Sequence, residues 1–574
     1  MKIIGFNYDY FISSMCVLEN NKILFASPEE RFTREKNTKK FPIQALKYFI
    51  EKYKIKFNKN DCFVSSLNPG IYMQNFNPLI SSQKRHFSEH LISFPDNILN
   101  LNPNRNLIKS NLTYQKFQFE SSYLKAYYVN HHDAHAANAF YSSGFSDAIT
   151  FVIDLQGEVA STSVYLCKKN YFTKIHEVQY PNSIGLLYST ITEFLGFKAN
   201  SEEWKVMAIS NLFKNKKNKY FKLFKEKIIT YDKNGNYNLN LQLFNSYYPI
   251  KANMYNDSIF DILGPPLTKT DNPSTRHIEI ANALQQITEE IISNLVQNFI
   301  KKFNFKNICL SGGVFMNCLM NGKLERKFKN NNFHIPFAPD DSGNSIGAAL
   351  YLRNNIFKAK NIVSNLKDPY LGMSSSNSQI ELALKKSKIN YAKILNPSKV
   401  AAQLLFENNI IGWFQQKSEF GQRSLGNRAI LANPLQKNIK VKLNKIIKFR
   451  ENFRPFAPSI LHEKFSEYFI SNNKKNDINY MEKIYFLKKI YLKSLSSIAH
   501  VDGSSRLQTV TKKFNLDFYN LIKEFEKLSN FPIVINTSFN IKNEPIVNTP
   551  KDAITTFYNS GLDKMIIGNF LIAK

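Results

Sequence analysis

The sequence predicts an α/β fold in two or more domains, and three observations carry that expectation. The chain has 574 residues, too many for one compact core, since domains run to roughly 100–200 residues each. Runs of strand-like residues repeatedly precede helical patterns, with glycine at the junctions. Hydrophobic residues make up 43% of the chain, enough to fill such cores rather than leave the polymer disordered.

Taken in order, the chain opens with three strand-like runs, residues 2–7, 13–19 and 22–27, and then a helical pattern over 43–55. A strand at 127–130 runs into a helix at 131–142, and a strand pair is expected at 148–154 and 161–168. A long amphipathic helix over 278–303 leads into the strand NICL (307–310), the turn SGG (311–313) and a further helix. A strand around 333–338 precedes DDSGNSIGAAL (340–350), a loop that enters a helix of small residues. This recurrence predicts a domain over 1–360 built from two related halves. The Pro/Gly/Ser-rich stretch around KDPYLGMSSSNSQ marks a connection, 361–395, and a second α/β domain is expected over 396–574. Two polar stretches, 66–122 and 212–275, are rich in Asn, Lys, Tyr and Phe, show weak periodicity and read as insertions whose role the sequence does not reveal.

Composition excludes several classes. No run approaches the roughly 18 apolar residues of a membrane span. The segment MKIIGFNYDYF lacks a signal peptide's apolar core and reads as a first strand, so a cytoplasmic location is expected. The five cysteines are scattered and without CxxC spacing, which argues against a disulfide framework or zinc ribbon. The net charge of +31 invites a nucleic-acid reading, but only 12 of the 76 basic residues are Arg and Lys is spread throughout, so nucleic acid is not an expected partner. The five Arg beyond residue 360 (Arg423, Arg428, Arg450, Arg454 and Arg506) fall in three short, Gly/Pro-punctuated segments. Where Lys is the default cation, a retained planar fork points to phosphate or carboxylate, and the five together point to an anion site.

Four constellations carry chemistry. In His131-His132-Asp133-Ala134-His135, His131 and His135 share one face of a helix that Asn130 can cap, a spacing that holds a transition metal. Ser311-Gly312-Gly313-Val314 follows an apolar strand, and glycines there let backbone N–H groups approach phosphate, or make a tight structural turn. Asp341, in Asp340-Asp341-Ser342-Gly343, can supply a carboxylate opposite the two histidines, and a His₂Asp set with open positions suits Fe(II), Mn or Zn. In the second domain, EFGQRSLGNR (419–428), KFRENFRPFAP (448–458), HVDGSSR (500–506) and NTSFN (536–540) interleave cationic forks with hydroxyls and glycine turns, as a small phosphorylated substrate and a nucleotide require.

These residues resemble the nodulation-type O-carbamoyltransferases, which include the antibiotic-tailoring carbamoyltransferases for cephamycin, novobiocin and tobramycin. The resemblance covers nearly the whole chain, through SPEERFTREK (27–36), NHHDAHAANAFYSSGF (130–145), EEWKVMA (202–208), LSGGVFMNC (310–318), DDSGNSIGAAL, EFGQRSLGNRAIL (419–431), KFRENFRPFAPS (448–459), HVDGSSRLQTV (500–510) and INTSFNIKNEPIV (535–547). It implies an N-terminal domain of the actin-like ATPase superfamily (a duplicated ribonuclease-H-like fold), related to the tRNA threonylcarbamoyl-transfer enzymes, and a C-terminal YrdC-like α/β domain. It implies that the C-terminal domain makes carbamoyl-adenylate from carbamoyl phosphate and ATP with Mg²⁺. The N-terminal domain then uses a divalent metal (Fe²⁺ first, Mn²⁺ or Zn²⁺ as alternatives) to present that adenylate to an acceptor hydroxyl. Carried over, His131, His135 and Asp341 match the metal ligands and Asp154 a further polar contact. Ser311, Gly312 and Gly313 match the adenylate-binding turn, with Asn317 and Gly343 assigned to the same nucleotide. Arg423, Lys448, Arg454, Arg506 and Ser538 match the carbamoyl-phosphate and ATP positions. A homodimer is compatible with the sequence.

The sequence departs from the family where its first loop carries a His-Asp pair: Phe11 and Ile12 stand there, and neither takes a proton. Asp9, Tyr8 or His132 then substitutes as base, or the transfer step is altered or lost. Gln422 replaces the family's Pro, a change confined to the turn. Two other readings stay open: a non-catalytic nucleotide-binding relative and an actin-like-fold sugar kinase.

Overall fold

The computed structural model describes residues 1–9, 11–68, 112–119, 122–213, 217–245, 253–268, 272–448, 456–471 and 477–574. They form two compact units, Met1–Glu29 with Asn37–Lys367, and Glu30–Lys36 with Asp368–Lys574. Of the two expected insertions, residues 69–111, 120–121, 214–216, 246–252 and 269–271 lie outside the described residues. Among the described residues no helix is long and apolar enough to cross a membrane, and all five cysteines are free and buried.

The first unit holds two sheets that repeat one topology. In the first, β1 (Lys2–Asn7), β2 (Ser14–Glu19) and β3 (Lys22–Pro28) form an antiparallel meander, and β4 (Cys62–Ser65) joins β1 in parallel. Strand β6 (Ser122–Val129) adds in parallel to β4, with β5 (Leu112–Phe119) antiparallel on its outer edge. In the second sheet β7 (Asp147–Ile153), β8 (Ala160–Lys168) and β9 (Tyr171–Gln179) make the same meander. Strand β10 (Asn307–Ser311) then joins β7 in parallel, and β11 (Asn332–His334) joins β10. The orders 3-2-1-4-6 and 9-8-7-10-11 are the same arrangement twice, the duplicated ribonuclease-H-like pattern of an actin-like fold. The two related halves expected from the strand–helix recurrence are therefore present.

The helices that carry functional residues follow these strands. Helix α1 (Ile43–Tyr53) covers the first sheet through Ala45, Leu46 and Phe49. Helix α2 (His131–Ser143) follows β6 directly and is buried on nearly every side, which its small residues permit. Helix α3 (Thr275–Phe303) buries Ile280, Leu284, Ile287, Ile291 and Leu295 at helical spacing. Helix α4 (Asn344–Tyr351) lies against α2 so closely that a Cβ on Gly347 would stand 2.0 Å from the Ala134 carbonyl oxygen, so only glycine permits the approach.

The second unit is built on a mixed eight-stranded sheet. Its strands are β12 (Ala392–Lys393), β13 (Ile411–Phe414), β14 (Arg428–Ala432), β15 (Ala457–Leu461), β16 (Gln508–Val510), β17 (Ile533–Ser538), β18 (Lys564–Ile567) and β19 (Phe570–Ala573), in the order 12-19-18-13-14-17-15-16. Side chains of β17 alternate: Ile533 and Ile535 pack with Phe557 and Phe570, and Val534 packs with Trp413, Leu431 and Phe518. Residues 377–386 and 392–393, inside the stretch read as a connection, are a helix and an edge strand of this unit.

The segment Glu30–Lys36 also belongs to the second unit, although it follows β3 in the chain. Arg31, 1% exposed, donates from Nη2 to the Gly421 carbonyl at 2.7 Å. Arg34 donates to the carbonyls of Ile546 and Pro545 at 2.7 and 2.8 Å. Replacing Arg31 by Ala strands a buried carbonyl and removes a charge-assisted bond, so Arg31→Ala is expected to lower stability by about 2 kcal/mol. Denaturant unfolding reads this directly, and an unchanged midpoint would contradict the assignment.

Candidate active site

Helix α2, the end of β7 and the loop before α4 bring four donors together. His131, His135, Asp154 and Asp341 are all buried, with ligand atoms within 4.8 Å of one another. His135 Nε2 stands 2.9 Å from Asp154 Oδ2 and 3.3 Å from Asp341 Oδ1, and His131 Nε2 stands 3.4 Å from Asp341 Oδ1 and 3.7 Å from Asp154 Oδ2. The two Nε2 atoms are 3.2 Å apart. Asp154 Oδ2 and Asp341 Oδ2 make no aligned hydrogen bond although both are buried. Donors bound at roughly 2.0–2.2 Å around one cation stand about 3–3.6 Å from each other, so the set fits a divalent transition metal. Asp154, expected only as a further polar contact, is as close to this centre as the other three.

Electrostatics agree with a site built for positive charge. Burial opposes protonation of His131, but the carboxylates of Asp341 and Asp154 outweigh it and raise its pKa to about 10. His135 is raised against burial by the same two carboxylates. Burial alone would raise Asp154, yet its contacts with His131 and His135 hold it well below the usual carboxylate range.

Neighbouring residues orient these ligands. Asn130 takes the N-cap position of α2, but its side chain accepts no cap bond; its amide donates to Asp133 Oδ2 at 3.0 Å. Glu158 supplies the cap instead, accepting from His131 N at 2.9 and 3.1 Å and from Asn68 N at 2.9 Å. Ser311 Oγ meets His135 Nδ1 at 3.2 Å, and Asn344 Nδ2 lies 3.3 Å from His131 Nδ1. Glu158 and Asn344 were not singled out from sequence, although Asn344 lies in DDSGNSIGAAL and Glu158 in the turn between β7 and β8 that also carries Asp154.

The other predicted nucleotide residues divide in role. Gly312 has φ +100, and a Cβ there would meet the Ile153 carbonyl oxygen at 2.2 Å, so the turn after β10 requires glycine. Gly313 lies against Asp154, whose Oδ1 is 3.0 Å from its Cβ position. Asn317 exchanges two hydrogen bonds with Gln285, at 2.8 and 3.1 Å, and caps the next helix through Met320 N. The Cβ position of Gly343 is filled by the Ala338 carbonyl, 2.1 Å away, which makes it a packing residue.

In the second unit Lys448, 5% exposed, donates to Asn540 O at 2.9 Å, Asn540 Oδ1 at 2.8 Å and the Ser538 carbonyl at 2.5 Å, with Ser538 Oγ at 3.4 Å. Asn540 was quoted within NTSFN but not assigned; its alternate spacing from Ser538 was the available signal. Arg423 lies on a loop organised by Glu419, whose Oε1 accepts from Leu425 N, Asn427 N and Arg428 N at 2.8, 2.8 and 3.2 Å. That loop is tied to β16 by Gln508 Nε2, which donates to the Leu425 carbonyl at 2.9 Å, and to β17 by Asn536. Arg506 is two residues before Gln508, and Ser538 two after Asn536, so this network brings segments far apart in sequence into one neighbourhood. Arg450 and Arg454 lie outside the described residues. Arg428 corrects the reading of five arginines as one anion site: it is fully buried, donates to the carbonyls of Gln415, Gln416 and Met373, and stacks 3.6 Å over Phe414.

At the departure in the first loop, the carbonyl of buried Ile12 accepts from Asn7 Nδ2 at 2.8 Å, and Lys39 Nζ lies 5.2 Å over the Phe11 ring. Of the named substitutes, burial and the Asp9 charge raise the Tyr8 phenol, keeping it protonated. His132 pairs through Nδ1 with Ser163 Oγ at 2.7 Å; burial and the charges of His131 and His135 hold it neutral, and its Nε2 has no hydrogen-bond partner.

Fold and site together define an actin-like α/β protein with a buried His₂Asp₂ centre and a second unit that buries Lys448 among oxygens of Ser538 and Asn540. The chain belongs to the carbamoyltransferase family: residues 2–350 match the carbamoyltransferase N-terminus and 402–574 the carbamoyltransferase C-terminus. It is thus a transferase. Its relatives include the nodulation protein NolO of Bradyrhizobium diazoefficiens, 32% identical over 78% of this chain and 79% of that one. The nodulation protein NolNO of Sinorhizobium fredii is 29% identical over 97% and 78%. Protein sll1178 of Synechocystis is 32% identical over 100% and 96%. Among solved structures, full-length HypF in the phosphate- and nucleotide-bound form matches with a TM-score of 0.32 at 14% identity, over 62% of this chain and 56% of that one.

Because the two carboxylates hold a proton on His131, metal binding at pH 7.5 must displace it. Affinity for Mn²⁺ or Zn²⁺ is therefore expected to rise with pH until His131 deprotonates by itself near 10. Calorimetry in buffers of differing ionisation enthalpy should count at least one proton released per ion, and Asp154→Asn should weaken binding at least tenfold. Binding without proton release would contradict the site.

Proposed function

We propose that the chain is an O-carbamoyltransferase that works through carbamoyl-adenylate. The observation that carries this reading is the pairing of two different kinds of site in one chain of this family. One is a buried four-donor centre in the first unit, and the other a lysine held among serine and asparagine oxygens in the second.

In the second unit, carbamoyl phosphate, ATP and one water give carbamoyl-AMP, inorganic phosphate and pyrophosphate. Lys448, Arg423, Arg506 and Ser538 bind the anionic groups, with Arg454 assigned to the same task by resemblance. The Glu419 carboxylate holds the Arg423 loop in shape through three backbone N–H groups. In the first unit the acceptor hydroxyl attacks the carbamoyl carbonyl, AMP leaves, and the hydroxyl proton is lost. The turn at Ser311, Gly312 and Gly313 receives the adenylate. His131, His135, Asp154 and Asp341 would hold a divalent metal, which supplies positive charge against the negative charge developing on carbonyl and phosphate. Carbamoyl-AMP is a mixed anhydride with a good leaving group, so no covalent enzyme nucleophile is needed. The acceptor is a hydroxyl of a sugar or a natural-product alcohol, the class that the sequence resemblance implies.

Pyrophosphate release from ATP, with mass detection of carbamoyl-AMP, tests the first half-reaction. Release that depends on carbamoyl phosphate, and falls at least a hundredfold in Lys448→Ala, is the expected result. ADP release with a sugar, independent of carbamoyl phosphate, would replace this reading with that of a kinase.

A further inference from the structure

His132 follows His131 on α2 but is not one of the four donors: its ring centroid stands 6.1 Å from that of His131 and 6.4 Å from that of His135. Its Nδ1 meets Ser163 Oγ at 2.7 Å, and its Nε2 is buried without a hydrogen-bond partner among the described residues. Gly157 lies against this edge of the ring, where a Cβ would stand 2.9 Å from Cδ2 and 3.1 Å from Nε2. A glycine on the turn that carries Asp154 thus keeps the space beside Nε2 free of side chain.

The hydrogen-bond chain behind the ring decides what Nε2 offers. The Tyr165 phenol donates to Asp133 Oδ1 at 2.8 Å, while Asp133 Oδ2 accepts from Asn130 Nδ2 at 3.0 Å. The phenol's proton is committed to that carboxylate, so its oxygen is left to accept. Burial and Asp133 raise the phenol's pKa, and Ser163, two residues earlier on the same face of β8, acts against them as a donor does. With its own proton given to Tyr165, Ser163 Oγ accepts from His132 Nδ1–H. The imidazole is then the Nδ1–H form, and its Nε2 presents a bare lone pair. A buried lone pair without a donor is unfavourable, and in a native fold it points to a hydrogen that arrives. In a carbamoyltransferase, beside a metal centre, the group that brings one is the hydroxyl to be carbamoylated.

We propose that His132 is the general base of the transfer step, its Nε2 accepting a hydrogen bond from the acceptor hydroxyl and then its proton. As the acceptor oxygen bonds to the carbamoyl carbon, the bond from that carbon to the AMP oxygen breaks, its electron pair leaves with AMP, and the proton stays on Nε2. Asp133, Tyr165 and Ser163 are positioning residues: they fix the tautomer and the ring's orientation from behind. This rests on the reading that carbamoyl-AMP is consumed at His131, His135, Asp154 and Asp341.

The test follows AMP release from carbamoyl-AMP in a single turnover of the Mn²⁺-loaded full chain, with water or glycerol as the attacking hydroxyl. His132→Ala should slow release by about a hundredfold or more, the size of a general-base contribution. It should leave pyrophosphate release from ATP within twofold and Mn²⁺ affinity within threefold, and added imidazole should restore the rate at least tenfold. An unchanged rate, or a fall that follows a lost affinity for Mn²⁺, overturns the proposal. Should His132→Ala not fold, nitrogen NMR of the metal-free wild type decides, the His132 signal being the one that Ser163→Ala moves. A proton on Nδ1 with a bare Nε2 is the expected result, and a proton on Nε2 overturns the proposal. Wild type that never consumes carbamoyl-AMP would instead remove the adenylate reading, and this inference with it.

Discussion

Two imidazoles and two carboxylates buried within a few ångströms of one another constrain the whole first unit. The carboxylates alone would carry two negative charges into a region without bulk water, and desolvating them is costly unless positive charge arrives with them. The two carboxylates favour a proton on His131 in the free protein, and a divalent cation would supply more positive charge by engaging all four donors at once. To bring these groups together the fold must end β7, β10 and β11 on one side, start α2 at His131, and seat α4 against α2. The glycines at 312 and 347 are consequences of that convergence, since each sits where a carbonyl oxygen occupies the space of a Cβ. Ser311 and Asn344 then meet the imidazoles of His135 and His131 from behind, and Glu158 holds the His131 backbone N–H.

The second unit meets a different constraint: it buries one lysine ammonium among carbonyl and amide oxygens. Arg423 stands on a loop and Lys448 at the end of a helical turn, and such segments need internal order if a small anion is to be bound in one pose. Glu419 provides that order by accepting three successive backbone donors, and Gln508 and Asn536 tie the same loop to two strands. Arg31 holds the Gly421 carbonyl from a segment that precedes it by 390 residues. The first stretch of the chain to carry family-like residues outside the strands is thus structural support for the second unit.

Much of this architecture was legible in the sequence. The strands at 2–7, 13–19 and 22–27 and the helices at 131–142 and 278–303 have strong periodicity and appear within a few residues of their expected bounds. The strand expected over 333–338 stops at His334, because Pro336 and Pro339 cannot donate to a ladder. The histidine pair and Asp341 were readable because spacing along a helix and a strand–helix junction are local features. Asp154 as a full partner, Glu158 as the cap, and Gln508 and Asn536 as the ties of the Arg423 loop were not, since each acts on residues beyond its own motif: Glu158 caps His131 across 27 residues, and Gln508 and Asn536 reach Leu425 and Ser424 across 83 and 112. Arg428 misled for the opposite reason. It sits in a motif rich in Arg, yet its burial against Phe414 and three carbonyls is set by tertiary packing that no local pattern encodes.

The central claim is that His131, His135, Asp154 and Asp341 together hold one divalent cation. Anomalous diffraction from crystals grown with Mn²⁺, recorded on both sides of the metal's absorption edge, tests it most directly. One peak lying roughly 2.0–2.3 Å from a nitrogen of each histidine and an oxygen of each aspartate is the predicted result. A metal-loaded crystal whose peak lies elsewhere, or whose four side chains stay paired only with one another, would contradict it.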